Sequence, residues 1–347
     1  MNLTHIASIE VVDMYQRKKQ AIGIFSILMM LVLIFDTRTA ILGAGEGIQL
    51  CIQTAVPSLF PFIFLSGFIA SMFIGQSSRI LRPVFHWLGI PDGGESMFLV
   101  GILGGYPTGA KIVYEAYEAK QITKETASRL LGFCNNAGPA FIFGIVSRLF
   151  VVPGTAWSLW LIHILSSLIT AALLPHKANE ACQLSRTNPQ TLSHAMQNSL
   201  KTMGTVCGWV IAFRILCSYI NKYVFRFFSA PLTAIFCGVL ELVNGCDAIS
   251  SIENDGIRFI LVSGILAFGG VCVWMQTISV TKELGTGMYI KGKLMQSVFS
   301  VVLATVYVLL EFSQIFIGIV IVICFAFFLY LSRKSCIRKE KTVAKCP

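Results

Sequence analysis

Long apolar windows dominate this chain, separated by short polar or Gly/Pro-rich stretches. An α-helix needs about 20 mostly apolar residues to cross bilayer hydrocarbon. Windows that reach or approach that length fall at 21–35, 50–75, 133–150, 156–175, 197–220, 257–280, 295–311 and 314–331. Two further apolar pieces, 97–110 and 230–245, are short and interrupted, and both read as re-entrant hairpins. The pattern predicts an all-α polytopic membrane protein of about eight crossings plus two re-entrant helical hairpins.

Basic residues orient the crossings, because cytoplasmic flanks carry an excess of Lys and Arg. Arg17-Lys18-Lys19 precede the first window, Arg79 and Arg82 follow the second, and Lys111, Lys120, Lys124 and Arg129 follow the first hairpin. Lys177 and Arg186, then Lys282, Lys291 and Lys293, and finally a basic tail from Arg333 fall on the same side. Both termini are therefore expected in the cytoplasm. Lys222 and Arg226 are the exceptions, placed outside.

This arrangement gives two halves with the same series of elements in opposite orientation, an inverted repeat. Gly101-Ile102-Leu103 answers Gly238-Val239-Leu240, and Ala137-Gly138-Pro139 answers Phe268-Gly269-Gly270. The predicted divisions are an N-terminal segment with the first anchor (1–44), a first repeat (45–175), a polar linker (176–196), a second repeat (197–331) and a basic tail (332–347). Within the first repeat, 112–132 reads as a helical hairpin at the cytoplasmic surface, with Thr123 as an N-cap and Glu125 in the first turn.

Composition agrees: 55% of residues are hydrophobic, 13% charged, and the mean hydropathy is +0.74. The net charge of +10 lies beside apolar windows, so it reports topology and no nucleic-acid partner. The partners expected are the lipid bilayer and a small-molecule substrate, with a homo-oligomer left open. The 11 cysteines are scattered and lack a CxxC pair, which argues against a disulfide framework or a zinc site. The first window is read as a retained anchor, since no small-x-small cleavage site follows it immediately. No Walker loop, HExxH or GxSxG element occurs, so no catalytic activity, metal or cofactor is expected. His163 alone of the five histidines falls within a window and reads as a packing or hydrogen-bonding residue.

The candidate site lies where helices are interrupted. Backbone freed from helical bonding cannot face lipid, and paired broken helices at midplane are how many secondary transporters hold substrate. Gly104, Gly105 and Gly109 permit close backbone approach, Pro107 removes a donor, and the amides that follow, with Thr108 and Lys111, suit an anion. Lys111 reads equally as an interfacial cation, and Tyr106 as a stacking platform or as ordinary packing. Asn135, Asn136 and Gly138 form the second break, the asparagines bonding either to helix ends or to substrate. In the second half the counterparts are Glu241, Asn244 and Gly245. An intramembrane carboxylate such as Glu241 points to a coupling proton or cation. Asp247 reads as solvated, and Trp274 and Gln276 as further candidates for the same cavity.

Three segments, 56–62 (VPSLFPF), 104–111 (GGYPTGAK) and 133–139 (FCNNAGP), together resemble the YlbJ family of sporulation integral membrane proteins, as do 238–241 and 244–245. The resemblance covers about 45–330. It implies a gate-type domain of the kind shared by nucleoside transporters and the ferrous-iron permease, although no GTPase domain accompanies it here. It also implies a transporter that moves dipicolinic acid from the mother cell across the outer forespore membrane. Dipicolinate, a flat aromatic dianion, suits helix N-termini, Lys111 and Tyr106, while Glu241 would repel it unless protonated or cation-bound. A nucleoside or other metabolite permease, and a non-transporting spore-envelope assembly protein, are the alternatives.

Overall fold

The apolar windows fold as helices. The computed structural model describes residues 20–311 apart from 22, 25, 74, 79, 153, 176–183, 185–189, 225–226 and 283, and contains no strand among them. The basic residues ahead of the first window, the 314–331 window and the basic tail lie outside the described residues, as does most of the linker.

The first half runs α1 (Ser26–Phe35), α2 (Thr37–Leu50) and α3 (Val56–Phe73), with the π-helical turn Cys51–Ala55 joining the last two. Pro57 and Pro61 donate no N–H, so carbonyls one turn earlier lose their usual partners, and the Val56 amide reaches back five residues to the Cys51 carbonyl. Next come α4 (Arg82–Trp87), α5 (Glu95–Gly104), α6 (Thr108–Glu118), α7 (Lys124–Cys134), the six-residue α8 (Pro139–Gly144) and α9 (Thr155–Leu173). The second half comprises α10 (Leu192–Tyr223), α11 (Ala230–Leu240), α12 (Leu242–Ser250), α13 (Asp255–Phe268), α14 (Gly270–Thr281) and α15 (Gly287–Leu309).

Among the described residues, five helical stretches are long and apolar enough to cross a membrane: Thr37–Phe73, Thr155–Leu173, Leu192–Tyr223, Asp255–Thr281 and Gly287–Leu309. The protein is a multi-pass integral membrane protein. Its helices present apolar faces outward, and buried polar side chains accompany an apolar core. On α15, Leu294, Val298 and Val302 are exposed, while Tyr289, Lys293, Gln296 and Ser300 are buried. That is the sorting expected when the solvent is hydrocarbon.

Two windows differ from the sequence reading. The window 133–150 is drawn in pieces: the end of α7, an extended 135–138, α8 and a 3-10 turn at Val146–Leu149. Pro139 opens α8 and biases Gly138 away from helical geometry, so no continuous rod can form there. The window 257–280 is broken at Gly269, whose φ of +84° stops α13 and starts α14. Both positions are the ones matched between halves, Gly138 against Gly269. The order broken pair (α5/α6), broken pair (α7/α8), long helix (α9) recurs as α11/α12, α13/α14, α15.

Contacts sort into two ends. Asp36 pairs with Lys222 at 2.7 Å and Arg258 donates to the Leu149 carbonyl. At the other end Lys282 pairs with Glu118 and the Gln190 amide donates to Ser71. The position of Lys222 is accounted for by its acidic partner. Of the seven cysteines described, six are buried and all are free thiols.

Candidate functional site

The breaks of the first half cross each other through bare backbone. A Cβ on Gly101 or Gly109 would collide with the Cys134 carbonyl. At the next level Gly105, at φ +74°, faces Gly138, and a Cβ on either would sit within about 3.0 Å of the other's backbone. The second half repeats this: Gly245 lies on Gly238, and a Cβ on Gly270 would meet the Gly238 carbonyl at 3.0 Å. Glycine is required because two main chains pass where side chains would stand.

The freed amides and carbonyls are met by side chains. Asn135 accepts from the Ala110 amide at 3.3 Å on α6 and donates to Thr277 at 3.0 Å on α14. Asn136 donates to the Phe133 carbonyl and to Ser167, and accepts from Gln296 at 2.9 Å. His163 accepts from the Ala137 amide at 3.1 Å, the hydrogen-bonding role expected for it. Every residue here is buried, so each bond replaces water that hydrocarbon cannot supply. Asn135 and Asn136 thus span the two halves.

In the second half Glu241 interrupts α11/α12 in extended geometry and caps α12, accepting from the Val243 and Asn244 amides at 3.0 and 2.7 Å. An acidic cap complements the positive end of the helix dipole. Arg214 on α10 donates to Asn244 and to Glu46 on α2. Asp247 is exposed.

Tyr106, Gly138, Glu241 and Gln276 meet around one cavity of about 50 Å³, which Leu59, Val206 and Val210 also line. It draws on breaks from both halves. A second cavity of about 130 Å³ lies at another level of α3 and α10 and is lined by Thr108, Lys111, Glu115, Asn198 and Thr202. Lys111 reaches the Thr202 hydroxyl there at 3.4 Å. Burial pushes the Glu115 carboxyl up, against the pull of Lys111. The α5/α6 break is therefore a partition, with Tyr106 on one side and Thr108 and Lys111 on the other.

The structure brings Tyr106, Gly138 and Glu241 together as the sequence suggests. It separates Lys111 from them, and it places Asn135 and Asn136 behind the cavity wall. Pro107 caps α6, and Gly104, Gly105, Gly109 and Gly245 serve close packing. Gln276 lines the first cavity, whereas Trp274 packs against the core formed by α4–α7.

Two residues escape the sequence reading. Lys293, counted there as a cytoplasmic flank, is only 1% exposed and sits within the bundle. It donates to Gln296 at 2.7 Å and lies 5.3 Å from the Tyr106 ring centroid. The available signal is the stripe Tyr289, Lys293, Gln296, Ser300 and Tyr307, polar groups recurring on one face of an apolar helix. Arg129 is the other. Its guanidinium donates to the Leu88, Gly89, Ala171 and Leu174 carbonyls, closing the C-termini of α4 and α9.

Crossed discontinuous helices around an internal cavity, lipid-facing apolar surfaces and buried polar stripes define a polytopic α-helical membrane protein with a broken-helix core. The chain is similar to the sporulation integral membrane protein YlbJ of Bacillus subtilis (strain 168), with 24% identity over 320 residues that take in 78% of this chain and 77% of that protein. That similarity bears out the YlbJ-like resemblance of the motifs across most of the sequence. No family model matches the chain, and no solved structure gives a significant match.

Proposed function

We propose that this protein is a carrier, not an enzyme, that moves a small anionic metabolite across a membrane during sporulation. Dipicolinic acid, crossing the outer forespore membrane, is the substrate that the family resemblance implies, and a gate-type inverted repeat is the corresponding architecture. The observation that supports this reading is the cavity where both halves' breaks meet, with Tyr106 and Gly138 opposite Glu241. At about 50 Å³ it has room for a few water molecules. A six-membered ring needs its walls to part, as alternating access demands. Glu241 in the wall would repel a dianion, so the loaded state takes up a proton or cation at that carboxylate.

The test is uptake of labelled dipicolinate into proteoliposomes under pH or sodium gradients. Saturable uptake is expected, driven by one of the gradients, and Glu241→Gln should abolish the gradient dependence. Asn135→Ala and Asn136→Ala are poor site controls because both residues hold the bundle together. Folded protein that moves no dipicolinate but is engaged by uridine would turn the reading to a nucleoside permease. Protein inert to both would turn it to a non-transporting assembly role.

A further inference from the structure

Among the described residues, four charged side chains are almost fully buried: Glu95, Arg129, Glu241 and Lys293. Two are answered locally: Glu241 takes two amides at a helix start, and Arg129 is ringed by carbonyls at the negative ends of two helices. Glu95 accepts from Ser77 at 2.8 Å through one oxygen, and its Oε2 has no hydrogen-bond partner among the described residues. Lys293 is different. Its ammonium reaches two amide oxygens, Gln296 at 2.7 Å and Asn136 at 3.5 Å, and the face of Tyr106. The groups around it are His163 from α9, Asn136 and Cys134 from the α7 break, Tyr106 from the α5/α6 break, and Gln296 and Tyr289 on α15 itself. No described carboxylate pairs with it, and a buried charge without a counter-charge is costly.

Two observations connect Lys293 to the substrate path. Tyr106, whose ring it faces, also lines the cavity between the halves, as do Ala137 and Gly138, the residues directly after its partner Asn136. Beside it, His163 Nδ1 is buried with no hydrogen-bond partner among the described residues. The cluster therefore places a lysine amine and a spare polar atom behind one aromatic wall of the cavity.

We propose that Lys293 is the counter-charge for a carboxylate of the transported anion, which reaches it from the cavity as Tyr106 gives way. This rests on the carrier reading above and adds the residue that selects for negative charge, in place of Lys111. A carboxylate there forms the ion pair that the empty protein lacks, while Gln296 and Asn136 hold the ammonium in position.

The experiment compares thermal stabilisation of purified wild type and Lys293→Gln by a panel of dipicolinate, picolinate, isophthalate, their carboxamides and uridine. Wild type should be stabilised by the carboxylates and not by the amides. In Lys293→Gln the half-stabilising carboxylate concentration should rise by roughly thirtyfold or more, with the unliganded midpoint showing that the variant is folded. If that variant does not fold, Lys293→Arg takes its place. It should keep the requirement for negative charge and change the preference between mono- and dicarboxylates. Equal carboxylate affinity in wild type and Lys293→Gln, an unchanged preference in Lys293→Arg, or wild type stabilised only by neutral compounds or by none would overturn the proposal. Uptake is scored separately. Carboxylate binding that depends on Lys293 without uptake would sink the carrier reading and leave Lys293 as an anion site.

Discussion

The glycines at the crossings carry the sharpest residue-scale expectation. A methyl group at Gly109 or Gly101 has to displace the Cys134 carbonyl, which is main chain and cannot rotate away. Gly109→Ala should therefore lower stability by about 2 kcal/mol or more, seen as an earlier thermal midpoint in detergent. Among the described residues, nothing lies within 4 Å of a Cβ added to Gly204 or Gly208 on α10. Alanine there should be neutral or gain up to about 1 kcal/mol from helix propensity. Equal losses at Gly109 and Gly204 would refute the crossing. At Asn136→Ala, Gln296 and Lys293 lose an acceptor and the Phe133 carbonyl loses a donor. The cost should be about 2–3 kcal/mol, whatever the substrate. The sequence marks these residues well, because Gly, Pro and Asn inside apolar windows have few uses. It does not say which of them face a cavity, since one turn of helix separates Tyr106 from Lys111 and sends them into different spaces.

Among the elements, the long apolar helices and the interrupted pieces at 97–110 and 230–245 were legible from hydropathy, whereas the breaks inside the longer windows were not. A window average sees 133–150 as one apolar stretch, although Pro139 and the Asn pair make it three pieces. The same averaging hides Lys293, whose neighbours along α15 are apolar while its neighbours in space are polar. Two cross-element contacts lend themselves to test. Arg129 gathers carbonyls from α4 and α9, so Arg129→Leu strands four buried acceptors and should cost about 3 kcal/mol or more, whereas Arg129→Lys recovers part of that. Asp36 ties the α1–α2 corner to α10 through Lys222, Tyr223 and Thr39, which hold its carboxyl below the usual carboxylate range. A lowered folded-state value gives stabilisation that is complete above the unfolded value and lost as pH falls. Thermal midpoints of wild type should thus drop more steeply between pH 5 and 3 than those of Asp36→Asn. Parallel curves would remove Asp36 from the account.

For the molecule as a whole, the two halves meet most extensively through α2 and α3 on α10 and α7 and α9 on α15, besides the Asn135–Thr277 bond. A chain cut within 176–189 should still assemble: the fragments, co-expressed, are expected to copurify, and each alone to be lost. Failure to copurify would mean that the covalent link is needed to bring the halves together. Under the carrier proposal, the crossing of Gly105 with Gly138 also separates two sets of residues. Where two main chains touch, no side chain is present to discriminate among ligands, so the framework and the recognition surface are different sets of residues. The framework is glycine and asparagine, intolerant of change. The recognition surface includes Val206, Val210 and Gln276, each on a single wall of the cavity. If the carrier proposal holds, relatives of this protein are free to diverge in what they carry by changing a few residues on α10 and α14, while the knot of glycines at the crossing stays as it is.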